Sequence, residues 1–216
     1  MIKGLIFDLD GVIVDTAKNH YYAWKKIAES IGINFGKKEN ELIKGLSRKE
    51  SLEKIISLSK SISIKKSHFN NLLIQKNEEY LNSISNINKN DILPGIEDLI
   101  LYSKKNQIKL AVGSSSKNAI YILKKIDLYS YFNVIIDGTM VKNPKPQPEV
   151  FIKCCEAINL FPKECLVFED SHSGVYAAKS GGFKVIGVGN HNLIEIADFY
   201  EDNLIGFNLE KYEKFI

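Results

Sequence analysis

The sequence predicts an α/β protein: a parallel sheet covered on both faces by helices, with an all-helical segment inserted after the first strand. Two patterns carry that reading. Short apolar runs recur along the chain with helix-like segments between them, and such βαβ alternation calls for a parallel sheet. The stretch from 16 to 87 breaks this rhythm and contains no good strand. A third observation concerns chemistry: polar clusters follow the apolar runs, where an open parallel sheet binds its ligands.

Taken in order, "LIF" (5–7), "LAV" (110–112), "VII" (134–136), "LVF" (166–168) and "VIGV" (185–188) read as buried strands, too apolar to alternate with a wet face. Segments 95–106, 117–126, 147–159 and 173–181 read as the helices between them. In the inserted stretch, residues 17–31 place His20, Trp24, Ile27, Ala28 and Ile31 on one helical face. "SRKESLEKIISL" (47–58) opens with Ser47 at an N-cap position and Glu50 three residues on, the spacing of a capping box. "HFNNLLIQKNEEYLNSI" (68–84) is a third helical pattern, and "NINKNDILPG" (86–95) returns the chain to the α/β part. The expected division is a catalytic core of 1–15 with 88–216 and a helical cap of 16–87.

Composition excludes several classes. Of the 216 residues, 44% are hydrophobic and 25% charged, the balance of a globular domain. A net charge of +3, spread along the chain, gives no footprint for nucleic acid or a membrane surface. No apolar stretch approaches the ~20 residues of a membrane span. The three cysteines are odd in number, two are adjacent, and none forms a Cys-x-x-Cys. That speaks against a disulfide framework or zinc site and for a reducing cytoplasm. A strand starting at residue 2 leaves no room for a signal peptide in this sequence. Nothing demands more than a monomer.

The polar clusters are mutually consistent. Asp8 and Asp10 follow the first strand, "GSSSKN" (113–118) follows "LAV", "KNPKPQP" (142–148) comes after "VIIDGT", and "EDSHSG" (169–174) follows "LVF". Four acids, Asp8, Asp10, Glu169 and Asp170, would surround one point. Hard oxygen ligands of this kind suit Mg²⁺, and a cation offsets the repulsion between neighbouring acids. Ser114, Ser116 and Lys145 would supply donors and positive charge to a phosphoryl group. One carboxylate can attack phosphorus while another, two residues on, moves a proton. Each cluster alone has a bland reading as a turn, a helix cap or a solvated lysine. Their order, each at a strand end, favours chemistry.

"FDLDGVIVDT", "GSSSKN", "KPQPEVF" and "FEDSHSGVYAAKSGG" resemble the four motifs of the haloacid dehalogenase superfamily of phosphotransferases, and the resemblance covers essentially the whole chain. It implies a Rossmann-like parallel-sheet core with an inserted all-helical cap. It makes Asp8 the nucleophile and Asp10 the general acid/base that also gives a backbone carbonyl to Mg²⁺. It has Ser114 and Lys145 bind the transferring phosphoryl group, and Glu169 and Asp170 serve the metal.

The segments "DTAKNHYYAWKKIAESIGI", "IKGLSRKESLEKII" and "QKNEEY" resemble the cap of the sugar phosphomutases of that superfamily. By that likeness Thr16 lies at the hinge, and His20 and Lys76 link the cap to Asp10. Gly45, Leu46 and Arg48 line the sugar-phosphate site, with Arg48 on the phosphate that does not react. Ser116, Lys117 and Asn118 complete it from the core. Trp24 is either a platform for the sugar or a core residue of the cap. The expected reaction interconverts β-glucose 1-phosphate and glucose 6-phosphate through an aspartyl-phosphate and a glucose 1,6-bisphosphate. A sugar-phosphate phosphatase and a non-catalytic phosphosugar-binding module are the rivals. Gly45, Leu46, Arg48 and Lys76 argue against the first, and the intact acids, serine and lysine against the second.

Overall fold

The computed structural model describes residues 1–59 and 62–215. Its core is a six-stranded, wholly parallel sheet: β1 (Gly4–Phe7), β2 (Lys109–Gly113), β3 (Val134–Ile136), β4 (Cys165–Glu169), β5 (Lys184–Val188) and β6 (Phe199–Glu201). Their spatial order is β3-β2-β1-β4-β5-β6, the doubly wound order of a Rossmann-like sheet. The five expected strands are all present. β6 was not foreseen; its "FYE" is short, half-buried throughout and without alternation.

Alternate residues of each strand point to opposite faces. Leu5, Phe7, Leu110, Val112, Leu166, Phe168, Ile186 and Val188 join one apolar cluster, with α5 (Ile96–Lys105), α6 (Ala119–Lys125) and α9 (Glu210–Glu213). Ile6, Ala111, Cys165, Val167 and Val185 join the other, with α7 (Glu149–Ala157) and α8 (His172–Ser180). Phe7 and Phe168, paired in register, stack at 4.8 Å and 9°. Complete burial of such a side chain stabilises by ~1.5–3 kcal/mol. All three cysteines are free and buried.

Between β1 and α5 lie four helices: α1 (Ala17–Ser30), α2 (Lys37–Glu41), α3 (Arg48–Ser57) and α4 (Lys66–Ser83). They form the helical cap, with a third apolar cluster around Trp24, Ile27, Phe35, Leu52 and Leu72. The capping box of α3 forms as its spacing required: Ser47 Oγ accepts from the Glu50 amide, and Glu50 accepts from the Ser47 amide. No described helix is long and apolar enough to cross a membrane.

Candidate active site

The strand order reverses direction between β1 and β4, so a crevice opens beyond their carboxyl ends. The acids stand there. The Asp8 amide donates to the Phe168 carbonyl at 2.9 Å, which extends the β1–β4 ladder one residue past β1. The chain then turns at Gly11, whose φ is +90°. A Cβ at this position would come within 2.3 Å of Asp170 Oδ2. Glycine is therefore required twice over, for its backbone conformation and for the approach of the first loop to the acid after β4.

Lys145 forms the floor. Its Nζ donates to Asp8 Oδ1 and Glu169 Oε1, both at 2.6 Å, and the side chain is wholly buried. Glu169 Oε2 accepts from the amide and the hydroxyl of Ser171, each at 2.8 Å, so both carboxylate oxygens are engaged. Burial pushes Asp8 up to about 7 against the pull of Lys145, with Glu169 and Asp10 adding to the rise. Asp170 is driven well above the usual carboxylate range by burial and then by Glu169. Burial opposes the charge on Lys145, but Asp8 and Glu169 more than offset it and raise the lysine. Beside this floor, the buried Ser114 hydroxyl accepts from the Ser116 amide at 3.0 Å.

Asp10 faces the cap. Its Oδ1 accepts from the Thr16 and Tyr80 hydroxyls, and His20 Nε2 lies 3.5 Å away. Thr16 occupies the N-cap position of α1 yet makes no cap bond; its hydroxyl is turned to Asp10 instead. Lys76 Nζ lies 2.8 Å from His20 Nδ1. An ammonium can only donate, so with Lys76 protonated Nδ1 accepts and the ring proton sits on Nε2, toward Asp10. Burial lowers His20 first and Lys76 lowers it further, so the imidazole is neutral near pH 7. Asp10 is brought down to about 2: burial opposes its charge, but His20, Thr16 and Tyr80 outweigh it. Burial, then Arg48, brings Lys76 down to about 7.

The far end of the cleft joins cap to core. Arg48 Nη2 donates to Asn77 Oδ1 at 2.7 Å, and Asn118 Nδ2 donates to the same oxygen at 3.0 Å. The Asn118 amide donates to Ser116 Oγ at 3.2 Å. The loop before α3 is fastened to the core through its own carbonyls. Ser115 Oγ donates to Gly45 O at 2.6 Å and Ser173 Oγ to Lys44 O at 2.7 Å. Gly45 has φ +73°, and a Cβ there would meet the Ser171 and Ser173 hydroxyls at 2.3 Å. Among the described residues Arg48, Lys76 and Lys117 take part in no ion pair. Arg48 and Lys117, joined by Lys76 in its protonated form, make an anion-attracting wall on the cleft.

Of the residues singled out from the sequence, Asp8, Asp10, His20, Trp24, Gly45, Leu46, Arg48, Lys76, Ser114, Ser116, Lys117, Asn118 and Asp170 line this cleft. Thr16 and Lys145 stand behind its wall, touching Asp10 and Asp8 in turn, with Glu169 on Lys145. Trp24 belongs to the apolar cluster of the cap, with Lys76 Nζ 5.0 Å over its ring. Sequence reasoning missed Tyr80, Asn77, Lys44 and Ser115. Tyr80 carried a signal, because it falls four residues after Lys76 on the same helical face. Asn77, an amide on a charged helix, carried none.

A divalent cation fits the oxygens at the strand ends. The second carboxylate oxygen of Asp8, the Asp170 carboxylate and the Asp10 main-chain carbonyl are hard donors, and burial of Asp170 beside other acids calls for positive charge. No group of three or more His, Cys, Asp or Glu among the described residues forms a complete cage. Mg²⁺ keeps waters and takes phosphate oxygens, so it needs only one or two carboxylates from the protein.

The pattern of the haloacid dehalogenase-like hydrolases matches residues 5–188. A β-phosphoglucomutase of Bacillus subtilis is 40% identical over 192 residues, 87% of this chain and 84% of that protein. A phosphorylated carbohydrates phosphatase of Thermotoga maritima is 35% identical over 187 residues, 86% and 84% of the two chains. The crystal structure of a β-phosphoglucomutase from Clostridium difficile superposes with a TM-score of 0.93 at 39% identity, covering 99% of this chain and 96% of that one. Motifs at four strand ends, a doubly wound parallel sheet, an inserted helical cap and these likenesses have one explanation: the chain belongs to the haloacid dehalogenase-like hydrolase family.

Proposed function

We propose that the chain is a Mg²⁺-dependent β-phosphoglucomutase, interconverting β-glucose 1-phosphate and glucose 6-phosphate through a glucose 1,6-bisphosphate. One observation supports the reading: two sets of groups suited to phosphate meet at a single cleft. Asp8, Ser114 and Lys145 form one, and Arg48, Lys117 and Asn118 the other. A phosphatase of small esters needs only the first. A mutase must hold a sugar by one phosphate while the other reacts, then accept it reversed.

In this reading phosphorylated Asp8 donates to a sugar hydroxyl, and Asp10 as base takes the hydroxyl proton. The bisphosphate turns over, its other phosphate passes to Asp8, and Asp10 as acid returns the proton to the departing oxygen. Thr16, Tyr80 and His20 hold Asp10 in its carboxylate form between these steps. Lys145 keeps Asp8 aimed and offsets charge on the phosphoryl group, with Ser114 as a donor. Asp8, Asp170 and the Asp10 carbonyl would hold Mg²⁺, with Glu169 behind them on Lys145. The bound ion would screen the acids and polarise the phosphoryl oxygens. Gly45 and Leu46 shape the sugar site, and the cap, read as 16–87 over a core of 1–15 and 88–216, excludes water. We place the enzyme in the cytoplasm as a monomer.

The test runs a coupled glucose 6-phosphate assay beside phosphate release, with β-glucose 1-phosphate, Mg²⁺ and a trace of bisphosphate. Glucose 6-phosphate should far exceed free phosphate. Phosphate release without isomer would make the chain a sugar-phosphate phosphatase instead.

A further inference from the structure

Asn77 lies on α4, one residue after the lysine that serves His20. Its side-chain oxygen takes a donor from each side of the cleft, Arg48 Nη2 from the cap at 2.7 Å and Asn118 Nδ2 from the core at 3.0 Å. The orientation of both amides follows from the chemistry. A guanidinium can only donate, so the Asn77 atom facing it is oxygen, and Asn118 must then present its NH₂.

We propose that Asn77 is a positioning residue for the non-reacting phosphate: it converges Arg48 and Asn118 on one point without neutralising the charge that draws the anion there. The inference rests on the proposed mutase reading and deepens it. One acceptor with two lone pairs holds two donors that belong to separately packed parts of the chain. Fixing a long guanidinium before the ligand arrives lowers the ordering cost of binding. The uncharged amide is essential to the argument. A carboxylate at 77 would accept the same two hydrogen bonds but would pair with Arg48 and repel a phosphate.

The experiment uses the full chain with Mg²⁺ and reads competitive inhibition of aryl-phosphate hydrolysis by glucose 6-phosphate, in parallel with mutase turnover. Asn77→Ala should weaken inhibition about tenfold. Asn77→Asp, which keeps both hydrogen bonds, should weaken it more than alanine does. In an Arg48→Ala background, Asn77→Ala should cost much less, because the group it positions is gone. Thermal melts show that each variant is folded. A purely structural brace predicts the reverse order, with Asp close to wild type. That order overturns the proposal, as does an unchanged inhibition constant or a full effect in the Arg48→Ala background. Absence of wild-type mutase turnover would sink the function while these inhibition constants still decide the role of Asn77.

Discussion

The hydroxyl of Ser115 donates to the carbonyl of Gly45 at 2.6 Å, fastening two segments seventy residues apart. Ser173 does the same to Lys44. Both bonds run from a core side chain to cap backbone, so they hold the cap loop against the core whatever side chains the loop carries. Each is worth about 1 kcal/mol net. The double variant Ser115→Ala/Ser173→Ala should therefore admit water more often, raising the ratio of free phosphate to glucose 6-phosphate several-fold or more. An unchanged ratio would show that closure is governed elsewhere.

Asp8 and Asp10 should fail in different ways. On the proposed roles Asp8→Asn replaces the nucleophilic carboxylate by an amide and should leave no phosphoenzyme and no turnover. Asp10→Asn should keep metal affinity, because the proposed contact there is the main-chain carbonyl, yet slow both transfers by roughly 10²–10⁴-fold. Mg²⁺ titration and single-turnover phosphotransfer on both variants check this. Equal loss of metal affinity would refute the division of roles.

Arg48→Ala should harm sugar-phosphate turnover far more than hydrolysis of a small aryl phosphate, which lacks the second anion. A charge-assisted Arg–phosphate contact is among the stronger hydrogen bonds. Comparing kcat/KM for the two substrates measures it, and equal losses would place Arg48 outside the sugar-phosphate site.

Lys76 gives a prediction about stability. Its pKa falls from 10.5 to about 7 on folding, so between these values the unfolded chain binds more protons than the folded one. Lys76 then contributes a rise of stability with pH from about 7 upward, by at most about 1.4 kcal/mol per pH unit, while Asp170, raised on folding, works against it until its carboxyl ionises. Buried Cys154, raised on folding from 9.0, begins to oppose this above about pH 9. Urea titrations between pH 7 and 9 should show stability rising more steeply, or falling less, with pH in wild type than in Lys76→Met. Identical slopes in the two proteins would mean that Lys76 keeps its proton in the fold.

Much of this architecture could be read from local pattern. The buried strands announced themselves as apolar runs, the Ser47–Glu50 box by its spacing, and the acids by standing just past strands. What could not be read depends on partners distant in the chain. Lys145 could be placed in the site, but its complete burial could not be read, because it comes from Asp8 and Glu169, 137 and 24 residues away. Thr16, placed at the hinge by the resemblance, stands at the N-cap position of α1, yet its hydroxyl goes to Asp10. Asn77 becomes legible only when Arg48 and Asn118 are brought to it.

The central pairing of β1 with β4 also bears on how such a chain can change. Asp8 and Glu169, which flank the Lys145 ammonium, stand at the ends of buried strands in the middle of the sheet, where backbone amides should exchange with deuterium only on global unfolding. The residues that would choose the sugar sit on helices with an apolar nucleus of their own. Substitutions accumulating in that outer layer can redraw the preferred ligand without shifting Asp8. Laboratory selection for a different hexose should therefore harvest its changes from 17–83 and leave the strand ends untouched.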